Sequence, residues 1–511
     1  MRLLFVCLCA GLLSACSSLA VPEGRTLSSA LPMQDSQTTS LGRAIAPLAQ
    51  AHPGQTGIFP LADAHEAFAA RVLLARAAER TLDVQYYIWR LDTTGTLLLE
   101  ALHEAADRGV RVRLLLDDNG IAGLDTVLAA LDQHPQIEVR LFNPFGVRSP
   151  KWLGYLTDFS RANRRMHNKS FTADNQATIV GGRNVGDEYF GATEGVLFAD
   201  LDVLAAGPVV QTLSQDFDRY WASASAFPVA QVLPPVDPAQ LQALAAQAQR
   251  MAQDPRAAAY VAAVRELPFV RDLARGDLAL QWASTRMVSD DPAKGLGQAR
   301  EQGLMVRQLG DILGVPASHV DLVSPYFVPT AAGVEAFEAL RRRGVQVRIL
   351  TNALEATDVA AVHAGYAKRR QRLLQAGVEL YELRRQANRG EAKAHAGPFG
   401  SSGSSLHAKT FAVDGQHVFV GSFNFDPRSV HLNTELGFVI DSPALAQQVD
   451  MAFDGPVPSN AYTVRLDAQG ALYWTEQVDG KTVRHTTEPG TTFWQRAGVW
   501  LLSWLPIEWL L

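Results

Sequence analysis

The sequence His167-Asn-Lys169-Ser-Phe-Thr-Ala-Asp174, followed by Gly181-Gly182-Arg-Asn184, recurs as His407-Ala-Lys409-Thr-Phe-Ala-Val-Asp414, followed by Gly421-Ser422-Phe-Asn424. In both copies Lys follows His by two positions, Asp by seven, Gly by fourteen and Asn by seventeen. Five matched residue types rarely recur at one spacing by chance. The two stretches therefore indicate a duplicated unit.

The elements around the two copies repeat as well. Before the first copy, apolar periodicity predicts helices over 64–80, 96–108 and 125–131 and strands over 82–89, 110–116 and 137–141. Before the second, it predicts strands over 320–328, 345–350 and 378–383 and helices over 333–343 and 358–376. Alternating strands and helices imply parallel strands covered by helices. An offset of about 235–240 residues means two fused domains, because solenoid repeats are roughly 20–50 residues long.

Length and charge limit the possible classes of protein. With 511 residues the chain is long enough for two cores. The formal net charge of -6 argues against a dedicated nucleic-acid binder, which usually has a basic surface, so we expect no nucleic-acid partner.

The N-terminus is typical of a secreted protein. Arg2 precedes the apolar run Leu3–Leu13, which is too short to cross a bilayer. The ending Leu13-Ser-Ala-Cys16 resembles a bacterial lipobox, in which Cys16 is lipidated; a plain signal peptide cut near Ala15 is the alternative. The resemblance implies a lipid anchor in the outer membrane of a Gram-negative cell, facing the periplasm. Cys16 and two leader cysteines are the only cysteines, which excludes a cysteine nucleophile or cysteine-zinc site in the mature chain.

These observations predict six segments: a signal peptide (1–15), a tether (16–58), an N-terminal domain (59–230), a helical linker (231–275), a C-terminal domain (276–460) and a strand-rich extension with an apolar tail (461–511). For part of the tether, a strap packed on the surface is the alternative. Residues 385–405 are interpreted as a mobile loop at the site, or as simple disorder. The tail, with Trp500, Trp504 and Trp509, is either an interfacial membrane anchor or a final helix docked on the core.

The repeated stretch has the side chains for phosphoryl chemistry. In an extended chain His-x-Lys places both side chains on one face. Two lysines with Asn and Ser donors can hold a tetrahedral anion such as a phosphodiester. Two imidazoles then suit a two-step displacement, in which one attacks phosphorus and the other donates and takes the proton. The lysines supply the charge that metals supply elsewhere, so we expect no metal and no cofactor.

The paired motifs resemble those of the phospholipase D superfamily over about residues 60–460. The resemblance implies an α/β fold: two pseudo-twofold-related domains, each a mixed sheet flanked by helices, sharing one central cleft. It also implies these roles: catalytic His167, Lys169, Asp174, His407, Lys409 and Asp414, and substrate-binding Asn184, Asn424 and Ser422. In the family the motif aspartates are more structural than chemical. Gly182 stands where the first copy would have its serine, so the site is expected to be asymmetric.

An acid is expected behind each imidazole to fix its tautomer. In the second half, Glu435 fits the family position. In the first half an alignment across an insertion nominates Asp200, with Glu188 and Asp202 as competitors.

Several further stretches resemble bacterial cardiolipin synthases, among them Tyr86-Tyr-Ile-Trp89 and Phe142-Asn-Pro144. The tail Phe493-Trp-Gln-Arg with Leu505-Pro-Ile-Glu508 resembles the C-type members of that group. The resemblance implies transfer of a phosphatidyl group between membrane phospholipids through a phosphohistidine. Phospholipase D hydrolysis to phosphatidic acid is the first alternative, and a nuclease-type phosphodiesterase the second. A non-catalytic lipid-binding lipoprotein is disfavoured by the intact motifs. The sequence does not reveal which histidine attacks.

Overall fold

A computed structural model describes residues 24–193, 197–385 and 405–511. The signal peptide, Cys16 and most of the expected loop at 385–405 lie outside the described residues.

The described chain forms strands in both halves and in the C-terminal extension. They are β1 Thr56–Leu61, β2 Thr81–Ile88, β3 Arg111–Gly120, β4 Ile137–Phe142, β5 Ser170–Ala173, β6 Ala177–Gly181, β7 Phe198–Ala199, β8 Asp202–Ala206, β9 Ala226–Pro228, β10 Gln281–Ser289, β11 His319–Val323, β12 Gln346–Asn352, β13 Glu379–Leu383, β14 Ser405–Leu406, β15 Thr410–Val413, β16 His417–Gly421, β17 Leu436–Asp441, β18 Ala461–Leu466, β19 Leu472–Val478 and β20 Lys481–His485.

Helices cover the faces of the sheet and fill the connections. They are α1 Met33–Ser36, α2 Ser40–Ala51, α3 Ala64–Ala77, α4 Thr93–Asp107, α5 Asp125–Leu131, α6 Leu153–Thr157, α7 Phe159–Ala162, α8 Asp187–Phe190, α9 Pro208–Trp221, α10 Ala239–Gln253, α11 Pro255–Arg265, α12 Pro268–Arg275, α13 Met305–Leu313, α14 Thr330–Arg342, α15 Ala360–Gln375, α16 Pro427–His431, α17 Pro443–Asp454, α18 Pro456–Asn460 and α19 Phe493–Ser503. Short 3₁₀ turns lie at Val229–Gln231, Pro292–Leu296, Glu301–Gly303 and Glu508–Leu510.

Apart from β7 and β14, which pair with each other in parallel, the strands form one continuous sheet whose two halves repeat each other. The first half runs β9-β4-β3-β2-β5-β6-β8-β1 and the second β10-β17-β16-β15-β11-β12-β13-β18-β19-β20. In each half the three central strands are parallel, β2-β3-β4 and β11-β12-β13, whereas the motif strands pair antiparallel. The halves join where β1 pairs with β10. This is the duplicated α/β fold that the sequence predicts.

An apolar core crosses from one half to the other. It contains Ile58, Val180 and Val203 from the first half and Leu436 and Phe438 from the second, all buried. Because burial of apolar area is the main stabilising contribution, this shared core fixes the two motif-bearing sheets relative to each other.

The tether predicted for residues 16–58 is wrong for its described part, which is the packed strap of the alternative. Arg113 donates to the Ser28 carbonyl at 3.0 Å, Asn175 donates to the Leu31 carbonyl at 3.0 Å, and the segment continues into α2 and β1. The backbone oxygens of the strap serve as acceptors for side chains that the domain buries, so the strap packs on the N-terminal half.

Two further differences concern element ends and the tail. The strand expected over 320–328 stops at Val323, where Ser324-Pro325 follows and proline has no N–H to donate to a ladder. The tail is a docked helix, α19, with Val499 and Leu502 packed beside Leu354 and Ala364. No helix in the described ranges is long and apolar enough to cross a bilayer.

Candidate active site

Each motif histidine is held against the opposite half of the chain. His167 precedes β5, and its N–H donates to the carbonyl of Thr434 at 2.9 Å. His407 follows β14, and its N–H donates to the carbonyl of Ala199 at 2.7 Å. Both histidines are almost fully buried. The backbone therefore brings the two motifs together at the junction of the halves.

The two acids cross over between the halves. Nδ1 of His167 lies 2.8 Å from Glu435 Oε2, and Nδ1 of His407 lies 2.6 Å from Asp200 Oδ2. The expected pairing of each acid with the histidine of its own half is wrong. The crossing follows from the backbone hydrogen bonds. His167 binds the carbonyl of Thr434, the residue before Glu435. His407 binds the carbonyl of Ala199, the residue before Asp200.

The competing acids lie elsewhere. Asp202 pairs with Arg71 at 2.8 Å, and Glu188 lies 3.3 Å from Arg90. Asp200 is therefore the acid of the first half that contacts an imidazole, as the sequence alignment nominated.

The lysines concentrate positive charge around the imidazoles. Lys169 Nζ donates to the His167 carbonyl at 2.5 Å, and Lys409 Nζ lies 3.1 Å from His407 Nδ1. Burial lowers the pKa of Lys409 to about 8, and burial together with Lys409 holds the pKa of Lys169 well below its ordinary value. Buried ammonium groups without full compensation are suited to receive an anion.

The histidines differ in how strongly they hold a proton. Burial and the charges of Lys169, Lys409 and His407 lower the pKa of His167 well below its ordinary value. Burial and Lys409 also lower the pKa of His407, but the carboxylate of Asp200 opposes this fall.

The pKa values of the two acids also differ, and the lower one belongs to the partner of His407. Burial alone would raise the pKa of Asp200, but His407 and Lys409 lower it to about 2. Burial raises the pKa of Glu435 to about 7, although Lys169 and the Ser422 hydroxyl oppose the rise. At neutral pH Asp200 is a full carboxylate, whereas Glu435 is partly protonated.

Ser422 is committed to the acid and not to a substrate phosphate. Its hydroxyl donates to Glu435 Oε2 at 2.5 Å and accepts from the N–H of Leu436 at 3.0 Å. A Cβ at Gly182 would lie 2.1 Å from Asp200 Oδ1. The substrate-binding role expected for Ser422 is therefore corrected. Glycine at 182 makes room for the shorter acid, and serine at 422 braces the longer one.

Asp174 and Asp414 stand apart from the imidazoles, each in a left-handed turn at the far end of its motif strand. Asp174 accepts from the backbone N–H groups of Arg80 at 2.8 Å and Thr81 at 2.9 Å. Asp414 accepts from the N–H of Ser318 at 2.7 Å in the same way. Each carboxylate fixes the chain that enters a central strand. The catalytic role expected for both aspartates is thus corrected to a structural one.

The two asparagines occupy equivalent positions beside the cleft. Asn184 Oδ1 accepts from the N–H of Ile88 at 3.2 Å, and its Nδ2 donates to the Tyr189 hydroxyl at 3.2 Å. The Oδ1 atom of Asn424 is buried and has no hydrogen-bond partner among the described residues. Asn424 is therefore the better placed of the two to bind an added group.

Aromatic rings that the sequence did not assign to the site flank both imidazoles. The Tyr87 ring lies 5.0 Å from that of His167, and the rings of Tyr189 and Phe198 lie 5.2 and 5.1 Å from that of His407. The internal repeat contained a signal for one of these rings, because Tyr87 aligns with Tyr326 when the two halves are aligned in sequence. The rings therefore form part of the wall around the two imidazoles.

One group of possible metal ligands occurs in the described part of the chain. His319, Asp321 and Asp450 lie close together, but Arg348 fills the space between the two acids, with Nε 2.6 Å from Asp321 and Nη2 2.5 Å from Asp450. The guanidinium already balances the carboxylates there.

The fold and the crossed histidine–acid pairs define a protein of the phospholipase D class. A family model described as "Cardiolipin synthase, PLD-like domain" matches residues 73–221 and 311–455, so the chain belongs to this cardiolipin synthase family. It is 53% identical to cardiolipin synthase C of Escherichia coli (strain K12), over 92% of this chain and 99% of that protein. It is 27% identical to a cardiolipin synthase of Geobacillus kaustophilus, over 74% of this chain and 61% of that protein. The phosphatidylserine synthase of Haemophilus influenzae has a similar fold, with a TM-score of 0.54 and 14% identity, over 83% of this chain and 91% of that one.

Proposed function

We propose that the protein is a phosphatidyltransferase that forms cardiolipin from membrane phospholipids through a phosphohistidine. The observation that carries the mechanism is the crossed pair of acids, which gives the two histidines different electrostatic surroundings within one cleft. The family and the similarity to cardiolipin synthase C support the substrate class.

In the first step, Nε2 of His167 attacks the phosphorus of a phospholipid. The bond from phosphorus to the departing alcohol oxygen breaks, and His407 gives that oxygen its proton. We assign attack to His167 because its pKa is held well below the ordinary value, so the ring is neutral. We assign the proton to His407 because ionised Asp200 stabilises the imidazolium.

In the second step, His407 takes the proton from a glycerol hydroxyl of phosphatidylglycerol. The oxygen attacks phosphorus, the phosphorus–nitrogen bond breaks, and His167 is restored. Lys169 and Lys409 hold the non-bridging oxygens in both steps, assisted by Asn184 and Asn424. The outcome is transfer when a lipid hydroxyl resolves the intermediate and hydrolysis when water does, and the aromatic lining of the cleft disfavours water.

Incubation of the purified protein with vesicles of phosphatidylglycerol and phosphatidylethanolamine, labelled with ³²P in the phosphatidyl group, tests the proposal. We expect label in cardiolipin; label mainly in phosphatidic acid would support the hydrolase instead. His167→Ala and His407→Ala should each lose about 10²-fold or more. His417→Ala is the matched control, because His417 forms a similar pair with Asp441, at 2.8 Å, away from the cleft.

The protein is also proposed to be held at the membrane at two places. Lipidated Cys16 would attach it to the periplasmic face of the outer membrane, and α19 would lie on the lipid surface. The exposed side chains of Trp494, Trp500, Trp504 and Trp509 support the second contact, since tryptophan suits the headgroup region. Fractionation of a Cys16→Ser chain tests the anchor: release into the periplasm is expected, and full membrane retention would assign anchoring to the tail.

A further inference from the structure

A second exposed apolar patch lies far from the C-terminus in sequence. On α6, α7 and the turn before them, Trp152, Leu156 and Phe159 are 61, 74 and 45% exposed. Three large apolar side chains within eight residues form a patch of the kind that marks an interaction surface, whereas isolated exposed apolar residues do not.

This patch lies at the entrance to the active site. Between its residues, Tyr155 donates from its hydroxyl to Asn119 Oδ1 at 3.1 Å. Asn119 Nδ2 donates to the Tyr87 hydroxyl at 3.2 Å, and the Tyr87 ring contacts the His167 ring. Tyr87, Asn119 and Tyr155 are all partly exposed, so this chain of contacts follows the wall of the cleft from His167 to the surface.

The patch also neighbours the C-terminal tail. Arg428 Nη1 donates to the carbonyl of Asn163, just after α7, at 3.0 Å, and its Nε donates to the carbonyl of Leu510 at 3.0 Å. One guanidinium thus joins the segment after the patch to the last residues of the tail. The segment that carries the patch and the end of the C-terminal tail are therefore neighbours in the fold.

The small positive charge around the patch favours a lipid surface as the partner. Residues 147–165 contain five basic residues and one acid, in a chain with a formal net charge of -6. Carboxylates pair with four of these basic residues: Asp118 and Asp125 with Arg148, Asp118 with Lys151, Asp158 with Arg161, and Asp117 with Arg165. The small positive excess that remains rests on Arg164, whose guanidinium contacts a backbone carbonyl, that of His431, at 2.9 Å. Basic residues around an exposed apolar patch suit the surface of a bilayer that contains anionic phospholipid.

We propose that Trp152, Leu156 and Phe159 insert into the phospholipid bilayer beside the C-terminal helix, so that the mouth of the cleft opens onto the lipid surface. The inference rests on the proposed function for its choice of substrate. A phosphodiester then reaches His167 from the membrane by a short movement, without the acyl chains crossing water.

Insertion can be measured without turnover. The probe is a full chain carrying Cys7→Ser, Cys9→Ser, Cys16→Ser and His167→Ala, with Leu156→Cys labelled by an environment-sensitive fluorophore. Vesicles of phosphatidylglycerol and phosphatidylethanolamine should shift its emission to the blue and protect it from an aqueous quencher. The matched control is Leu27→Cys, because Leu27 is fully exposed and its neighbour Thr26 contacts Glu138 at the opposite end of β4.

Loss of the patch should weaken binding to the vesicles. Trp152→Ser with Leu156→Ser should lower the partition of the same unlabelled chain into vesicles at least tenfold, since burial of each large apolar side chain is worth about tenfold or more. The paired control is Val478→Ser with Val483→Ser, on exposed positions of β19 and β20, and should leave partition within twofold. Unchanged melting temperatures exclude a folding defect.

Three results would overturn the inference. One is a probe at position 156 that stays aqueous on vesicles; another is a double variant that binds as tightly as the parent. The third is self-association that the double variant abolishes, which would assign the patch to a second copy of the chain. The probe chain lacks His167, so insertion and partition are measured without turnover. If the parent protein has no transferase activity, that result counts against the proposed function and not against the insertion of the patch.

Discussion

The crossed acids predict that Asp200→Asn is far more damaging than Glu435→Gln. Both substitutions keep the shape of the side chain and remove its charge. Burial alone would raise the pKa of Asp200, but attraction to His407 and Lys409 outweighs burial and lowers the pKa from 3.8 to about 2, a net fall that corresponds to about 2–3 kcal/mol. If that attraction holds the proton on His407, its loss should lower kcat about 60-fold.

Glu435→Gln should cost less than tenfold. The pKa of Glu435 is raised to about 7, so near neutral pH the native side chain is already partly protonated, and a neutral amide resembles that form. Gln keeps one of the two acceptor oxygens, so it can still accept from the Ser422 hydroxyl, which lies 2.5 Å from Oε2, while the Ser429 hydroxyl, 2.9 Å from Oε1, must turn to accept from the amide.

The assay is initial-rate formation of cardiolipin on vesicles at several pH values. In Asp200→Asn the alkaline limb of the profile should also move to lower pH, because the carboxylate that raises the pKa of His407 is gone. Asp441→Asn is the control, since it removes the acid of the His–Asp pair at His417 outside the cleft. Equal losses in the two acid variants, or a larger loss in Glu435→Gln, would refute the assignment of roles to the two histidines.

Three further predictions concern packing and stability. Gly182→Ser should lower kcat at least tenfold with little change in melting temperature, because its Cβ would displace the Asp200 carboxylate; wild-type activity would show that the acid can move freely. Asp174→Ala should lower the free energy of unfolding by about 2–4 kcal/mol in urea titrations, since it leaves three buried or half-buried N–H groups unpaired. Glu488→Gln should cost up to about 3 kcal/mol at pH 7, because Arg370 and His363 lower the pKa of this buried acid from 4.5 to about 2. The stability that ionised Glu488 contributes is present above pH 4.5 and is lost as the pH falls towards 2. The parent protein and Glu488→Gln should therefore have equal free energies of unfolding near pH 2.

Most of the fold could be predicted because its signals are local and occur twice. Periodicity placed the helix Asp125–Leu131 and the strand Ile137–Phe142 to within a residue, because apolar and polar residues alternate over most of the strand and the buried Leu128 and Leu131 lie three positions apart in the helix. The strap at the N-terminus gave no such signal. It has weak periodicity because side chains of the domain, such as Arg113, satisfy its backbone. Sequence composition alone does not distinguish such a strap from a free tether.

The tail shows why two interpretations of one segment can both hold. Val499 is buried against the body, while Trp500 on the same helix and Trp504 just after it are exposed. One face of α19 thus packs on the core, and the other face is free to contact a lipid surface. The sequence offered these as alternatives because apolar residues surround the helix, and the choice between them depends on which neighbours it meets.

The sequence identified the two histidines and both acids, but it favoured the wrong acid for each histidine. Sequence proximity favours pairing within a half, whereas the backbone bonds from His167 to Thr434 and from His407 to Ala199 impose pairing between halves. Neither half alone therefore contains an imidazole with its own acid. The differences between the halves, Gly182 with Asp200 and Ser422 with Glu435, act on the opposite histidine in each case. In a symmetric dimer of one half both histidines would have the same acid, and only the bound substrate could distinguish them; the two unlike halves of this chain distinguish nucleophile from proton donor before substrate binds.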